Sequence, residues 1–308
     1  MMDHLTPILV GTLGAATPLV LAGLGELITE RSGVMNLGVE GMMLIGAIAG
    51  FATAVGTDGS VILGLLGGVA AGVLAASAFA VLALSLAANQ AACGLALTIF
   101  GVGLSAFIGQ SYVSHSLAGL QPWAIPVLSD VPFVGPILFR QDPVVYLAFL
   151  LYVLVAWTLA HTKVGLLLRA VGESPEAAHA IGYPVLGIRW LATLTGGGFA
   201  GLAGAYLSIV YTPLWVQNMT AGRGWISVAL VVFAAWKPTR LLLGACLFGG
   251  VTILQFHAQG LGLDVPVELL AALPYLATIL VLVLISRDRN LLLLNLPASL
   301  SRPFLPGR

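Results

Sequence analysis

Nine apolar stretches, parted by short polar or proline-containing breaks, leave this chain few folds to adopt. About 20 residues of helix cross the hydrocarbon layer of a bilayer. The segments 8–25, 34–55, 61–86, 91–112, 143–160, 188–211, 222–236, 240–256 and 267–286 are each near that length. The mean hydropathy of +1.05 exceeds that of a soluble domain of this size. The sequence therefore predicts an all-α, polytopic transmembrane helical bundle, a single transmembrane domain over 1–308, with about nine spans and a range of 8 to 10.

Charge is scarce at 8% of residues, and its placement is the next constraint. Glu26, Glu30, Arg31, Asn36 and Glu40 cluster between the first two apolar stretches. Polar groups at membrane depth are costly and commonly face a cavity or a partner. Asn36 and Glu40 are four apart and share a helix face after the Gly33 break, where an amide and a carboxylate suit a polar solute. Glu40 has a structural alternative, pairing with Arg31 or with free backbone amides near the break. Glu26 and Glu30 share a face beside Arg31 and read as an inner-gate charge cluster. Asn89 and Gln90 open the fourth span, either lining a vestibule or simply starting a helix at the interface.

Arg31, Lys163, Arg169, Arg189, Lys237, Arg240, Arg287, Arg289, Arg302 and Arg308 fall on one side of the expected spans, and only Arg140 and Arg223 on the other. By the positive-inside rule the first side is cytoplasmic, which places the C-terminus inside and the N-terminus outside. The proline-rich stretch 113–142 is then an external loop, and the tail from Arg287 lies along the inner surface or is loose. Segments 1–4 and 6–9 show a weak internal symmetry. The second member of each half starts at a glycine-rich break, Ser32-Gly33 in one and Ala221-Gly222-Arg223-Gly224 in the other, as in an inverted repeat. Gly64, Gly68 and Gly72, and Gly197 and Gly201, recur at the four-residue spacing that lets helices pack closely in lipid. The six tryptophans mostly fall near span ends and read as interfacial anchors.

The sequence suggests no cofactor or metal site. Cys93 and Cys246 lie in apolar segments as small hydrophobes, and the histidines lack ligand spacing. Equal numbers of acidic and basic residues, 12 each, give no basic excess for nucleic acid. Neither lysine, Lys163 or Lys237, sits in a phosphate-binding Gly-x-x-x-x-Gly-Lys motif.

The loop 162–188 contains Arg169-Ala-Val-Gly172-Glu173-Ser174-Pro175-Glu176-Ala177-Ala178-His179-Ala180-Ile181-Gly182. Ser174 suits an N-cap, Pro175 the first helical position, Glu176 the positive end of the dipole and Gly182 a stop, which predicts two helical turns. This segment resembles the coupling helix of permease subunits of ATP-binding-cassette importers, in the group for branched-chain amino acids, simple sugars and nucleosides. The strip from Glu30 to Gly41 is similar to the nucleoside-type permeases, and Gly222 to Pro238 is a third match.

The resemblance implies a multi-pass permease of the cytoplasmic (inner) membrane that imports a small polar solute, nearest to a nucleoside. It implies two ATP-binding subunits, a second and homologous permease chain, and an extracellular or periplasmic substrate-binding protein. Residues Arg169, Gly172, Glu173, Ser174, Pro175, Glu176, Ala177, Ala178 and Gly182 would couple to the ATPase. Branched-chain amino acids or simple sugars are the alternative cargoes, and an ion-coupled secondary transporter is the rival mechanism. No catalytic set accompanies the carboxylates, so the chain reads as a transport subunit rather than an enzyme.

Overall fold

A computed structural model describes residues 2–132, 134–260 and 295–305, with isolated positions between 269 and 283. The expected ninth span, 267–286, and Arg287, Arg289 and Arg308 lie outside the described residues, apart from those isolated positions.

The chain is a polytopic helical bundle. Its first four helices are α1 (Met2–Arg31), α2 (Val39–Gly56), α3 (Val61–Ala80) and α4 (Gln90–Gly109), with a π turn carrying α3 on to Ser85. A two-stranded hairpin follows, β1 (Trp123–Ala124) pairing antiparallel with β2 (Arg140–Gln141), and the short α5 (Val134–Leu138) lies between them. The remaining helices are α6 (Pro143–His161), α7 (Lys163–Glu173), α8 (Pro175–Ala180), α9 (Val185–Tyr206, continued to Tyr211), α10 (Arg223–Phe233) and α11 (Pro238–Gly260). Seven helices among the described residues are long and apolar enough to span a membrane.

Helices α1, α2 and α9 form the centre, while α3, α4, α6 and α11 expose apolar side chains such as Leu74, Phe107, Leu154 and Leu243 outward. In lipid no hydrophobic drive holds helices together, so contact depends on close backbone approach. A β-carbon on Gly46 of α2 would lie 2.5 Å from Gly201 Cα, and one on Gly72 of α3 would lie 2.8 Å from the same atom. Both helices thus press onto α9 at one glycine.

The expected span 222–236 needs correction. Helix α10 has 11 residues, about 16 Å at 1.5 Å per residue, too short to cross. The irregular segment 212–222 supplies the rest. Pro213 accepts a hydrogen bond from Leu117 N near the hairpin end of the bundle. The Trp215 indole packs on Gly109 and joins a cluster with Ile48 and Phe51. Five residues later Thr220 reaches Glu40. The segment therefore runs inward along α2 before α10 begins. Arg223, expected on the side opposite the other basic residues, is half-buried, and its Nη1 donates to the carbonyls of Met219 and Thr220.

Two tryptophans also depart from expectation. Trp215 and Trp236 are buried in the protein and are not interfacial anchors.

Candidate functional site: two helix breaks and a clasped loop

Helix α1 stops at Arg31, and the chain turns through Gly33, whose φ of +88° is accessible to glycine. A β-carbon there would also lie 2.8 Å from Arg189 Nη2. The next residues leave helical geometry while partly or fully buried in the protein, so side chains satisfy their backbone. Met35 N donates to Gln90 Oε1 at 2.9 Å, Asn36 N to Glu26 Oε1 at 3.1 Å, and Gly38 N to Asn36 Oδ1 at 2.9 Å. Thr98 Oγ1 donates to Leu37 O at 3.1 Å.

The second break meets the first through one carboxylate. Glu40 Oε1 accepts from Thr220 Oγ1 at 2.6 Å and Gly222 N at 2.9 Å, and Oε2 accepts from Gly224 N at 2.6 Å. Glu40 thereby caps α10, an N-terminus whose dipole favours negative charge. A β-carbon on Gly224 would lie 2.5 Å from Glu40 Cα, so the close approach requires glycine. Gly41 packs on Leu97 and Thr98, well inside the span Gln90–Tyr112, which puts the junction at membrane depth.

A third turn, 234–237, joins α10 to α11. The Trp236 indole donates to Glu30 Oε2 at 2.5 Å, and Arg31 Nη2 donates to Trp236 O at 2.8 Å. Glu26, Glu30 and Arg31 are thus each attached to the backbone or side chain of a break. Asn36 is buried, its Nδ2 directed at Met42 Sδ. Asn89 is exposed and caps α4 through Ala92 N, whereas Gln90 is buried. Among the described residues, Glu26 Oε2, Gln90 Nε2, Ser105 Oγ and Trp215 Nε1 are buried without a partner.

The loop after α6 holds two helices, not one. Thr162 Oγ1 caps α7 by accepting from Gly165 N at 3.3 Å, and Ser174 Oγ caps α8 by accepting from Ala177 N at 3.3 Å. Helix α8 ends at Ala180, and Gly182 follows with φ +93° in open space. Ala178 is buried against Val171, Val185 and Phe304, while Glu176 and Ala177 face outward. Arg169 and Glu173 are exposed, and Gly172 packs against Arg31 O. Helix α7 was legible in the repeat of Leu167, Leu168 and Val171, which sequence reading absorbed into a loop.

Sequence reasoning also missed a clasp beneath this loop. Arg189, counted in the sequence only as one of the basic residues of the inner side, is fully buried. Its Nε donates to Ser32 O at 3.1 Å, Nη1 to Arg302 O at 3.0 Å and Nη2 to Ser299 Oγ at 2.9 Å. Ser299 Oγ donates in turn to Gly172 O at 2.7 Å, and Ser301 N to Gly33 O at 3.2 Å. The described end of the chain, 295–305, therefore ties α7 and α8 to the first break rather than lying loose.

The family model for the permease component of branched-chain amino acid transport systems matches residues 8–285. A putative glucose ABC transporter permease protein of Haloferax volcanii is 44% identical over 303 residues, covering 91% of this chain and 92% of the relative. The nucleoside ABC transporter permease protein NupC of Lactococcus lactis is 32% identical, over 87% of this chain and 89% of its own length. The guanosine ABC transporter permease protein NupQ of Bacillus subtilis is 33% identical, over 90% and 91% respectively.

Proposed function

This chain belongs to the permease family of branched-chain amino acid transport systems, and from that premise we propose that it carries a small polar solute inward, powered by separate ATPase subunits. A nucleoside is the cargo suggested by the strip from Glu30 to Gly41 and by the nucleoside permeases at 32% and 33% identity. The 44% identity to a putative glucose permease favours a second reading, a hexose. Both cargoes carry a hydroxyl-rich ring.

The end of the bundle bearing Arg31, Lys163, Arg169, Lys237 and Arg302 is cytoplasmic in this reading, in keeping with the positive-inside rule. Segment 113–142 then lies outside, where a substrate-binding protein delivers cargo. Two ATP-binding subunits dock on the inner end, and a second, homologous permease chain completes the route. Glu26, Glu30 and Arg31 hold the inner gate by fixing the turns it is made of, and Asn36, Glu40 and Gln90 shape the pathway by holding its broken backbone. Asn89 faces the inner vestibule.

The observation that carries the reading is α8. It is capped by Ser174, anchored through Ala178, and presents Glu176 and Ala177 outward, while Arg169 and Glu173 of α7 are also exposed. ATP-driven closure of the docked subunits would move α8, and the Gly172–Ser299–Arg189 clasp would carry that displacement to Ser32 and Gly33.

The test is uptake of labelled guanosine and glucose by vesicles holding the complex as isolated from its own membrane. Replacing Glu176 and Ala177 with Arg and Trp is expected to abolish uptake while the permease stays folded. Solute accumulation by this chain alone, or full uptake by the double variant, would overturn the proposal.

A further inference from the structure

Resting on the importer reading above, we propose that segment 216–225 is the wall the solute crosses at mid-membrane, with Gln217, Asn218 and Trp225 as the groups that touch it. Non-helical backbone at membrane depth persists only where protein buries it or where it lines a watery cavity. Here protein buries one side of the segment and leaves the other side open. Trp215, Thr220 and Gly224 are buried against α2 and α4, whereas Val216, Gln217, Asn218, Ala221 and Trp225 are exposed.

The exposed side is unlike the rest of the outer surface. Around α3 and α4 the exposed residues are Leu66, Leu74, Ile99 and Phe107, as lipid demands. The Gln217 and Asn218 amides make no hydrogen bond to any described residue, and facing lipid they would be unsatisfied. A polar route removes that conflict.

The wall is also held rigidly from behind. Glu40 binds Thr220, Gly222 and Gly224 from the α2 side, and Arg223 Nη1 donates to the carbonyls of Met219 at 3.1 Å and Thr220 at 3.3 Å. Asn218, Ala221 and Gly222 all take positive φ, at 58°, 46° and 81°, which turns the chain sharply between the amides and the indole. With both charged groups engaged behind it, the open face offers two amides and an indole. Amides donate and accept to hydroxyls, and an indole presents a flat face to a ring. That set suits a neutral, hydroxyl-bearing ring solute and does not require a charged one.

The experiment uses the assembled complex in vesicles with Cys93→Ala and Cys246→Ala, into which Asn218→Cys, Trp225→Cys or, as a lipid-facing control, Phe107→Cys is introduced. A sulfonated methanethiosulfonate reagent is expected to label positions 218 and 225 but not 107, and guanosine or glucose to slow that labelling. Separately, Trp225→Ala is expected to raise the apparent KM for uptake by about tenfold through loss of ring stacking, with Trp225→Phe restoring it.

Positions 218 and 225 closed to the reagent, labelling indifferent to both solutes, or an unchanged KM in Trp225→Ala would overturn the assignment. A second permease chain seated on this face would give the first of these results. Absence of ATP-driven uptake by the unmodified complex would instead strike the importer reading itself, so the two failures are distinguishable.

Discussion

Replacing Glu40 with Gln tests the junction of the two breaks by changing one atom. Three donors converge on the carboxylate: Thr220 Oγ1 and Gly222 N on one oxygen, Gly224 N on the other. A carboxylate accepts at both oxygens, whereas an amide accepts at one and donates at the other. If the Gln oxygen faces Gly222, its NH2 opposes Gly224 N–H; if the amide flips, the NH2 opposes Gly222 N–H. Thr220 can rotate its hydroxyl to accept, but a backbone N–H cannot. Either rotamer loses at least one charge-assisted bond, worth about 1.5–3 kcal/mol, and leaves a buried amide unpaired at about 1–3 kcal/mol more. The expected cost is therefore about 3–5 kcal/mol. Thermal unfolding in detergent should fall by several degrees, and uptake should fall with it, because α10 loses its cap. A Glu40→Gln protein with wild-type Tm and uptake would refute the geometry, since no arrangement of an amide satisfies all three donors.

Two further outcomes follow from packing and from the clasp. Arg189→Lys keeps the charge but loses the planar fork that reaches Ser32, Ser299 and Arg302 at once, at a cost of about 2–4 kcal/mol; limited proteolysis should then cleave between 295 and 305 faster than in the wild type, and an unchanged cleavage rate would show that the clasp does not depend on Arg189. Gly201→Ala would set a methyl against the backbone of Gly68 and 2.9 Å from Gly72 Cα, where no side chain can yield, so overpacking should cost about 1–3 kcal/mol or more and lower the Tm; an unaltered Tm would mean that α3 and α9 are free to separate there.

The spans were legible because lipid imposes a length, and seven of the nine expected segments coincide with helices among the described residues that are long and apolar enough to cross. The start of α8 was legible because a cap is local: Ser174, Pro175 and Glu176 carry their meaning within one turn. What stayed hidden depends on distance along the chain. Glu40 finds its amides about 180 residues away, and Arg189 finds Ser32 and Ser299 more than 100 residues away in either direction. The 222–236 stretch was misjudged for a different reason. Hydropathy records how apolar a crossing is, not whether it is helical, and half of that crossing is an irregular chain whose polar backbone is met by protein.

The charged strip that stands out in the first quarter of the sequence takes its meaning from those breaks. A continuous helix satisfies its own backbone, so a bundle of unbroken spans has no need of Glu26, Glu30, Asn36, Glu40 or Gln90 at depth. Each of them holds a turn: Glu26, Asn36 and Gln90 at 35–38, Glu40 at 220–224, Glu30 through the Trp236 indole at 234–237. Broken helices are advantageous only if the breaks do something unbroken ones cannot, such as opening a polar surface at mid-membrane or pivoting between two packings of similar energy. The clasp from Gly172 of α7 to Ser32 and Gly33 ends on the first of these breaks, and Glu40 joins the first to the second. A displacement applied at α8 is therefore passed through its packing on Val171 and Phe304, the clasp and the backbone 32–40 to the segment 216–225, and through Gln90 and Thr98 to α4 as well.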